Sequence, residues 1–393
     1  MNIEEILSKM SGVGKPQRKF LAIVLVVFIY LRGKANFRNL SRHSELSEKT
    51  YSRWFRRDFD FAEFNRRSLA DVIENANEIV AVVDCSFCEK SGKQTYGLDK
   101  FYNSKHNKAE KGLEISTLAL VDIKYNTAYN LSTRQTPELD NEDETRVDAY
   151  IEHLRQDRQA IPEKVKYLLT DGYYSKIKFI NGVVDMRLDQ IGKLRHDSNL
   201  RWLYNGEQKS RGRHKCYDGK VEFDNLARFE FVDTVNEVQV YTSVVNSIQF
   251  KRNIRIVYLL KQEGNKMHTA LLFSTDTELA ALDIYRFYKA RFQIEFLFRD
   301  AKQFTGFSDC QARCQSSLHF HFNISMTALN LIKLEDRQHA FDGERNSISI
   351  LSWKIRKFNE HLLQTFSSIL GLDFSSIKSH PSFEPLCNYG VVM

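Results

Sequence analysis

The stretch YKARFQIEFLFRDAK, residues 288–302, sets Tyr288, Arg291, Glu295 and Lys302 at helical gaps of three, four and seven. At about 100° per residue, these side chains fall within roughly 60° of one another on a helix. Beside them runs an apolar stripe of Phe287, Ala290, Ile294, Leu297, Ala301 and Phe304. The spacing predicts one long helix that buries one side. At the edge of that buried side it shows a tyrosine, two cations and a single carboxylate. A chain built this way needs a layer for the helix to pack on. The plain alternative is a surface ion pair between Arg291 and Glu295, worth a few tenths of a kcal/mol.

Short β-branched runs supply that layer. EIVAVVDCS (78–86) reads as a strand ending in Asp84, and KVKYLLTDGYY (164–174) as a strand ending in Asp171. GLEISTLALVDIKYNTAYNL (112–131) reads as two antiparallel strands with a turn near 124–126. The charged segment 140–160 reads as a helix, and HTALLFSTD (268–276) as a further strand before the 288–302 helix. Strand, hairpin, helix, strand, helix is the order of a mixed α/β sheet. Residues 185–265 interrupt it with turn signals at Asn205-Gly206, Asp218-Gly219 and Gly264-Asn265, and read as a β-rich insertion. Residues 310–393 return to helical patterns.

Ligands in α/β sheets commonly sit at the carboxyl ends of strands. Asp84, Asp171 and Glu295 would converge there. Three anions that close repel, and burial raises the cost. A cation must neutralise them, and oxygen-only donors suit Mg²⁺ or Mn²⁺. A pair of such ions serves in-line displacement at phosphorus. Arg291, Lys302 and Tyr288 would then hold phosphates of the same substrate. Taken singly, a strand-end aspartate is more simply a turn or helix cap.

The net charge of +7 and pI of about 8.9 tilt the chain towards a polyanionic partner. Residues 1–75 look helical. Asn36 to His43 forms a short helix in this reading. Ser47 caps a second one that carries Lys49, Tyr51, Arg53, Trp54, Arg56 and Arg57. A basic second helix after a tight turn is how helix-turn-helix proteins read DNA; an ordinary helical pair with a solvated basic face is the alternative. KSRGRHKCYDGK (209–220) offers Arg211, Arg213 and Lys215 as phosphate contacts, or is a solvated hairpin tip. The run FLAIVLVVFIYL (20–31) is too short for a bilayer, which takes about 20 residues, so a buried helix is expected and no membrane partner. Six scattered cysteines fit free thiols in a reducing cytoplasm. The lone Cys85–Cys88 pair lacks a second pair at zinc spacing, and Cys310, Cys314, His319 and His321 lack tight ligand spacing. No phosphate loop for nucleotides appears, and no nucleophile elbow.

Tyr288, Arg291, Glu295 and Lys302, with VAVVDCS around Asp84 and LLTDGYYS around Asp171, resemble a family. They are similar to bacterial insertion-sequence transposases with a DDE triad and a Tyr-x2-Arg-x3-Glu-x6-Lys signature. Ser86 stands where that family carries Thr. The resemblance spans roughly 79–332. It implies a ribonuclease H-like mixed sheet flanked by helices, with a β-rich insertion, and an N-terminal all-helical domain precedes it. The expected division is 1–77 (DNA-binding helices), 78–184 (catalytic core), 185–265 (insertion), 266–332 (core resumed) and 333–393 (C-terminal helices). The resemblance implies Mg²⁺- or Mn²⁺-dependent DNA nicking and strand transfer at inverted repeats. It also implies Asp84, Asp171 and Glu295 as catalytic metal ligands, and a homodimer on double-stranded DNA. Some members stack a flipped base on an aromatic residue of the insertion. Trp202 is the candidate here, against plain packing of the insertion. Two other readings stand beside this one: a nuclease of the same fold without strand transfer, and a non-catalytic DNA-binding regulator.

Overall fold

The computed structural model describes residues 3–76, 78–138, 144–339 and 349–391. One mixed sheet runs through the molecule. Its strands are β1 (Ile79–Glu89), β2 (Asp99–Asn103), β3 (Lys108–Asp122), β4 (Thr127–Gln135), β5 (Tyr167–Leu169), β6 (Asp189–Leu194), β7 (Leu200–Leu203), β8 (Tyr217–Lys220), β9 (Glu230–Val235), β10 (Val238–Ser247), β11 (Arg252–Glu263) and β12 (Lys266–Ser274). They lie in the order β2-β3-β1-β5-β6-β12-β11-β10-β7-β8, with β4 on β3 and β9 on β10. β1, β5 and β6 run parallel, and the other pairings are antiparallel. The strands of 185–265 therefore continue the sheet without a gap, and β6 lies inside it beside β5.

Six helices precede the sheet: α1 (Ile3–Ser8), α2 (Lys15–Tyr30), α3 (Phe37–Arg42), α4 (Glu48–Trp54), α5 (Phe61–Ser68) and α6 (Ala70–Asn75). α7 (Arg146–Gln156) and α8 (Ile177–Asp185) flank the parallel strands. The rest are α9 (Ala281–Ala290), α10 (Gln293–Phe304), α11 (Gln315–His339), α12 (Ile350–Ile369), α13 (Phe374–Lys378) and α14 (Phe383–Cys387). The apolar run 20–31 spans the rest of α2 and its C-cap Leu31, mostly buried with Val26 exposed, and α2 packs on α11. α3 and α4 form as the sequence suggests, because Asn36 and Ser47 each accept a backbone N–H three residues on. No helix among the described residues is long and apolar enough to cross a membrane.

β1 does not stop at Asp84. It continues five residues further against β3, whose long partner face keeps it extended to Glu89. Its other neighbour is much shorter. β5 pairs with β1 only at Ala81 and Val82. Asp84 thus stands past the end of β5, in the gap where a parallel neighbour is missing.

β4 is an outer strand whose backbone is met by side chains instead of another strand. On α11, Asn330 accepts from the Asn130 N–H (2.8 Å) and donates to the Asn130 carbonyl (2.7 Å). Two turns earlier, Asn323 treats Thr133 the same way, at 3.0 and 2.7 Å. Asn330 also donates to Asn65 of α5, which donates in turn to the Leu131 carbonyl. This accounts for two buried amides of α11: each satisfies both backbone groups of an edge residue that would otherwise be left dry.

Candidate active site

The sequence spacing predicts one unbroken helix across 288–302. The structure breaks it. α9 ends at Ala290 and α10 begins at Gln293. Between them the backbone bonds tighten to three-residue steps, Arg291 N to Tyr288 O (3.2 Å) and Ile294 N to Arg291 O (3.1 Å). The tightened turn carries Arg291 inward, where it is 7 % exposed. Phe292, next in the chain, stays exposed with the Arg291 guanidinium 4.9 Å from its ring centre.

Arg291 joins the two elements. It donates to Asp84 Oδ2 at 3.3 Å and to Glu295 Oε1 at 2.9 Å. Asp171 follows β5 and caps the short turn Gly172–Tyr174, accepting from the Tyr173 N–H at 2.8 Å. Its charge reaches Asp84 and the Tyr288 hydroxyl. Burial and then the Asp171 charge push Asp84 up to about 7, with Glu295 adding to the rise, against the Cys85 N–H and Arg291, which lower it. Burial likewise pushes Tyr288 up. Arg291 therefore ties the strand to the α9–α10 junction, and the segment after β5 lies within electrostatic reach of Asp84. The Nε of Arg291 is buried without a hydrogen-bond partner. Among the described residues, no three carboxylate, imidazole or thiol groups lie close enough to hold one ion; the guanidinium sits between two of the acids.

Lys302 is exposed on α10, and its ammonium donates to the Phe87 carbonyl of β1 at 3.0 Å. It therefore anchors the helix to the strand that carries Asp84. Sequence reasoning missed Tyr174. Its buried hydroxyl meets Cys85 Sγ at 3.3 Å, directly behind Asp84. The only signal was its place in the quoted DGYY run, where nothing separates it from the exposed Tyr173.

The remaining candidates lie elsewhere. α4 stops at Trp54, short of the expected helix, so Arg53 is exposed on its last turn and Arg56 and Arg57 are exposed just past it, alongside Lys49. Arg211 and Arg213 are exposed on the loop before β8; Lys215 is paired with Asp218 at 2.6 Å. Trp202 does not face outward. It is 6 % exposed, edge-on to Phe229 and beneath the Arg228 guanidinium. The packing alternative describes it in this structure, because the insertion's antiparallel strands need a core of their own.

Residues 77–331 match the family model described as "Transposase DDE domain". That is well over half of the chain, which belongs to this family. It is a transposase, a DNA-processing enzyme of a mobile element. A comparison with curated proteins returned no match.

Proposed function

We propose that this transposase nicks DNA at the inverted-repeat ends of an insertion sequence and transfers the exposed strand to target DNA. In this reading the Tyr-Arg-Glu-Lys signature of the family is complete at Tyr288, Arg291, Glu295 and Lys302, on a ribonuclease H-like core. The observation that carries it is the Asp84–Arg291–Glu295 bridge, with the Asp171 charge acting on the same Asp84.

Asp84, Asp171 and Glu295 are the catalytic carboxylates and would hold Mg²⁺ or Mn²⁺. The donor set fits: all-oxygen, with burial and the Asp171 charge holding Asp84 well above the usual carboxylate range. A divalent ion held there would supply charge neutralisation at the scissile phosphate and would help ionise the attacking hydroxyl. The chain's own groups do the rest. Asp84 must give up its proton. Glu295, whose side chain is 48 % exposed, turns from Arg291 towards the aspartates. Arg291, Tyr288 and Lys302 hold phosphate oxygens and fix the line of attack.

Arg53, Arg56, Arg57, Arg211, Arg213 and Lys215 are proposed backbone contacts to double-stranded DNA. For Trp202 the first proposed role is packing. The division 1–77, 78–184, 185–265, 266–332 and 333–393 and a cytoplasmic location belong to the same reading. A homodimer in the DNA complex also fits, since each chain carries one acid set and an element has two ends. α12 leaves Leu362, Phe366 and Ile369 exposed for such a contact, with Leu370 at its C-cap.

The deciding experiment incubates purified protein and Mg²⁺ with a pre-cleaved end and target DNA. Joined product is expected, and Glu295→Gln removes it. Nicking without any joining would favour a nuclease. Full biological activity in Glu295→Ala would favour a regulator that does no chemistry.

A further inference from the structure

β5 ends at Leu169, two residues before Asp171. What holds the segment beyond it comes from β6. The Thr170 N–H donates to the Ile191 carbonyl at 3.0 Å, and the Ser175 hydroxyl donates to the Lys193 carbonyl at 2.7 Å. Between these two bonds the Gln190 side chain crosses over from β6. Its Nε2 donates to Thr170 Oγ1 at 2.8 Å and to the Tyr174 carbonyl at 3.3 Å. One amide therefore grips the residue before Asp171 and the residue that ends its turn.

Packing does not account for this glutamine. It is fully buried and stands opposite Leu168 in the β5–β6 ladder, on the sheet face that Tyr174 and Phe179 help to cover. An apolar side chain would suit that face and leave no polar atom dry. Gln190 instead keeps its own Oε1 buried without a hydrogen-bond partner. Such an atom costs stability, so the two bonds from Nε2 are what the residue supplies. Its backbone gives them a firm base: the Gln190 N–H donates to Thr275 Oγ1 at 2.9 Å, and its carbonyl accepts from the Thr275 N–H at 3.0 Å.

The far end of this clamp reaches the other aspartate. The Tyr174 ring packs 5.0 Å from Phe179 and 5.4 Å from Tyr150, centre to centre, and its hydroxyl meets Cys85 Sγ at 3.3 Å, next in the chain to Asp84. Tyr174 is tied at its carbonyl to Gln190 and at its hydroxyl to the strand of Asp84. We propose that Gln190 is a positioning residue: through Thr170 and Tyr174 it fixes where the Asp171 carboxylate stands relative to Asp84. This rests on the reading of Asp84 and Asp171 as ligands of a shared divalent ion, and it names the residue that sets their spacing. Groups that orient metal ligands from behind change affinity by about 10–100-fold when removed.

The test measures Mn²⁺ affinity of the folded full-length chain by calorimetry, beside its metal-free stability in urea. Gln190→Met keeps the length of the side chain and removes the amide. Thr170→Val removes the acceptor by exchanging a hydroxyl for a methyl, and Thr170→Ser keeps it. Gln190→Met and Thr170→Val should each weaken Mn²⁺ binding about tenfold, and Thr170→Ser should bind as the parent does. Circular dichroism checks folding, and Thr170→Val decides the matter where Gln190→Met does not fold. Parental Mn²⁺ affinity in a folded Gln190→Met or Thr170→Val chain, whatever its stability, would overturn the proposal and leave Gln190 a structural residue. Thr170→Ser as weak as Thr170→Val would overturn it too. A parent chain that binds no Mn²⁺ would overturn the shared-ion reading itself, so the two failures are told apart by the parent.

Discussion

The Arg291 guanidinium donates to Asp84 Oδ2 across 3.3 Å, tying a helix junction to a sheet strand. With Glu295 on its other side, it is a cation among acids, where a divalent ion is proposed to act. Removing it separates the two roles. Arg291→Ala should lower the melting temperature in EDTA, by an amount equivalent to about 1–3 kcal/mol, because buried charge is left unpaired. Mn²⁺ should restore more stability to the variant than it adds to the parent. Equal metal stabilisation of both, by thermal denaturation, would show that the guanidinium and the ion do not share a site.

Asp84 gives the pocket a pH dependence with a defined sign. Its folded value, about 7, lies above the ordinary 3.8. In metal-free protein its contribution to stability is fully present below 3.8 and is lost as pH rises through about 7. Metal binding runs the other way, since the ion must displace that proton. Affinity for Mn²⁺, measured by calorimetry, should fall roughly tenfold between about pH 8 and about pH 6. Asp84→Asn should flatten the profile and abolish nicking.

His319 acts at lower pH. Burial, with the nearby Arg134 charge, lowers it to about 4 from 6.5. Its contribution is present above 6.5 and lost as pH falls through about 4, because the unfolded chain takes up the proton first. Acid denaturation followed by circular dichroism should begin in that window, and His319→Gln should move the onset to lower pH.

Trp202 discriminates between folding and base recognition. Trp202→Ala should destabilise the protein by about 3–5 kcal/mol in urea denaturation, as loss of a buried aromatic does. A variant that folds with parental stability yet fails to process a transposon end would return the residue to the DNA.

Lys302→Ala should weaken end binding or strand cleavage with metal affinity nearly unchanged. The lost bond to the Phe87 carbonyl should cost about 1 kcal/mol of stability. A large loss of metal binding would reassign the lysine.

Much of this architecture was legible because it follows local rules. Alternating and β-branched runs gave β1, the β3–β4 hairpin and β12, and the Ser47 cap placed the start of α4. The three acids could be named because strand ends and helical spacing are short-range patterns. What escaped was decided by distant partners. Nothing local marks the break after Ala290, since residues 288–302 keep a helical period through it; what marks it is the burial of Arg291 beside Asp84. Asp84 was read as the end of β1, yet β3 holds the strand extended beyond it. Trp202 stood between packing and base stacking because its cover, Phe229 and Arg228, comes from the far side of a loop.

The paired amides of Asn323 and Asn330 carry a consequence for assembly. By mimicking a neighbouring strand along β4, they close that margin to any chain that would add by backbone pairing. Asn330→Leu should expose the Asn130 backbone, cost about 3 kcal/mol and raise aggregation measured by light scattering. Copies of this chain are thereby kept from joining through β4 by accident.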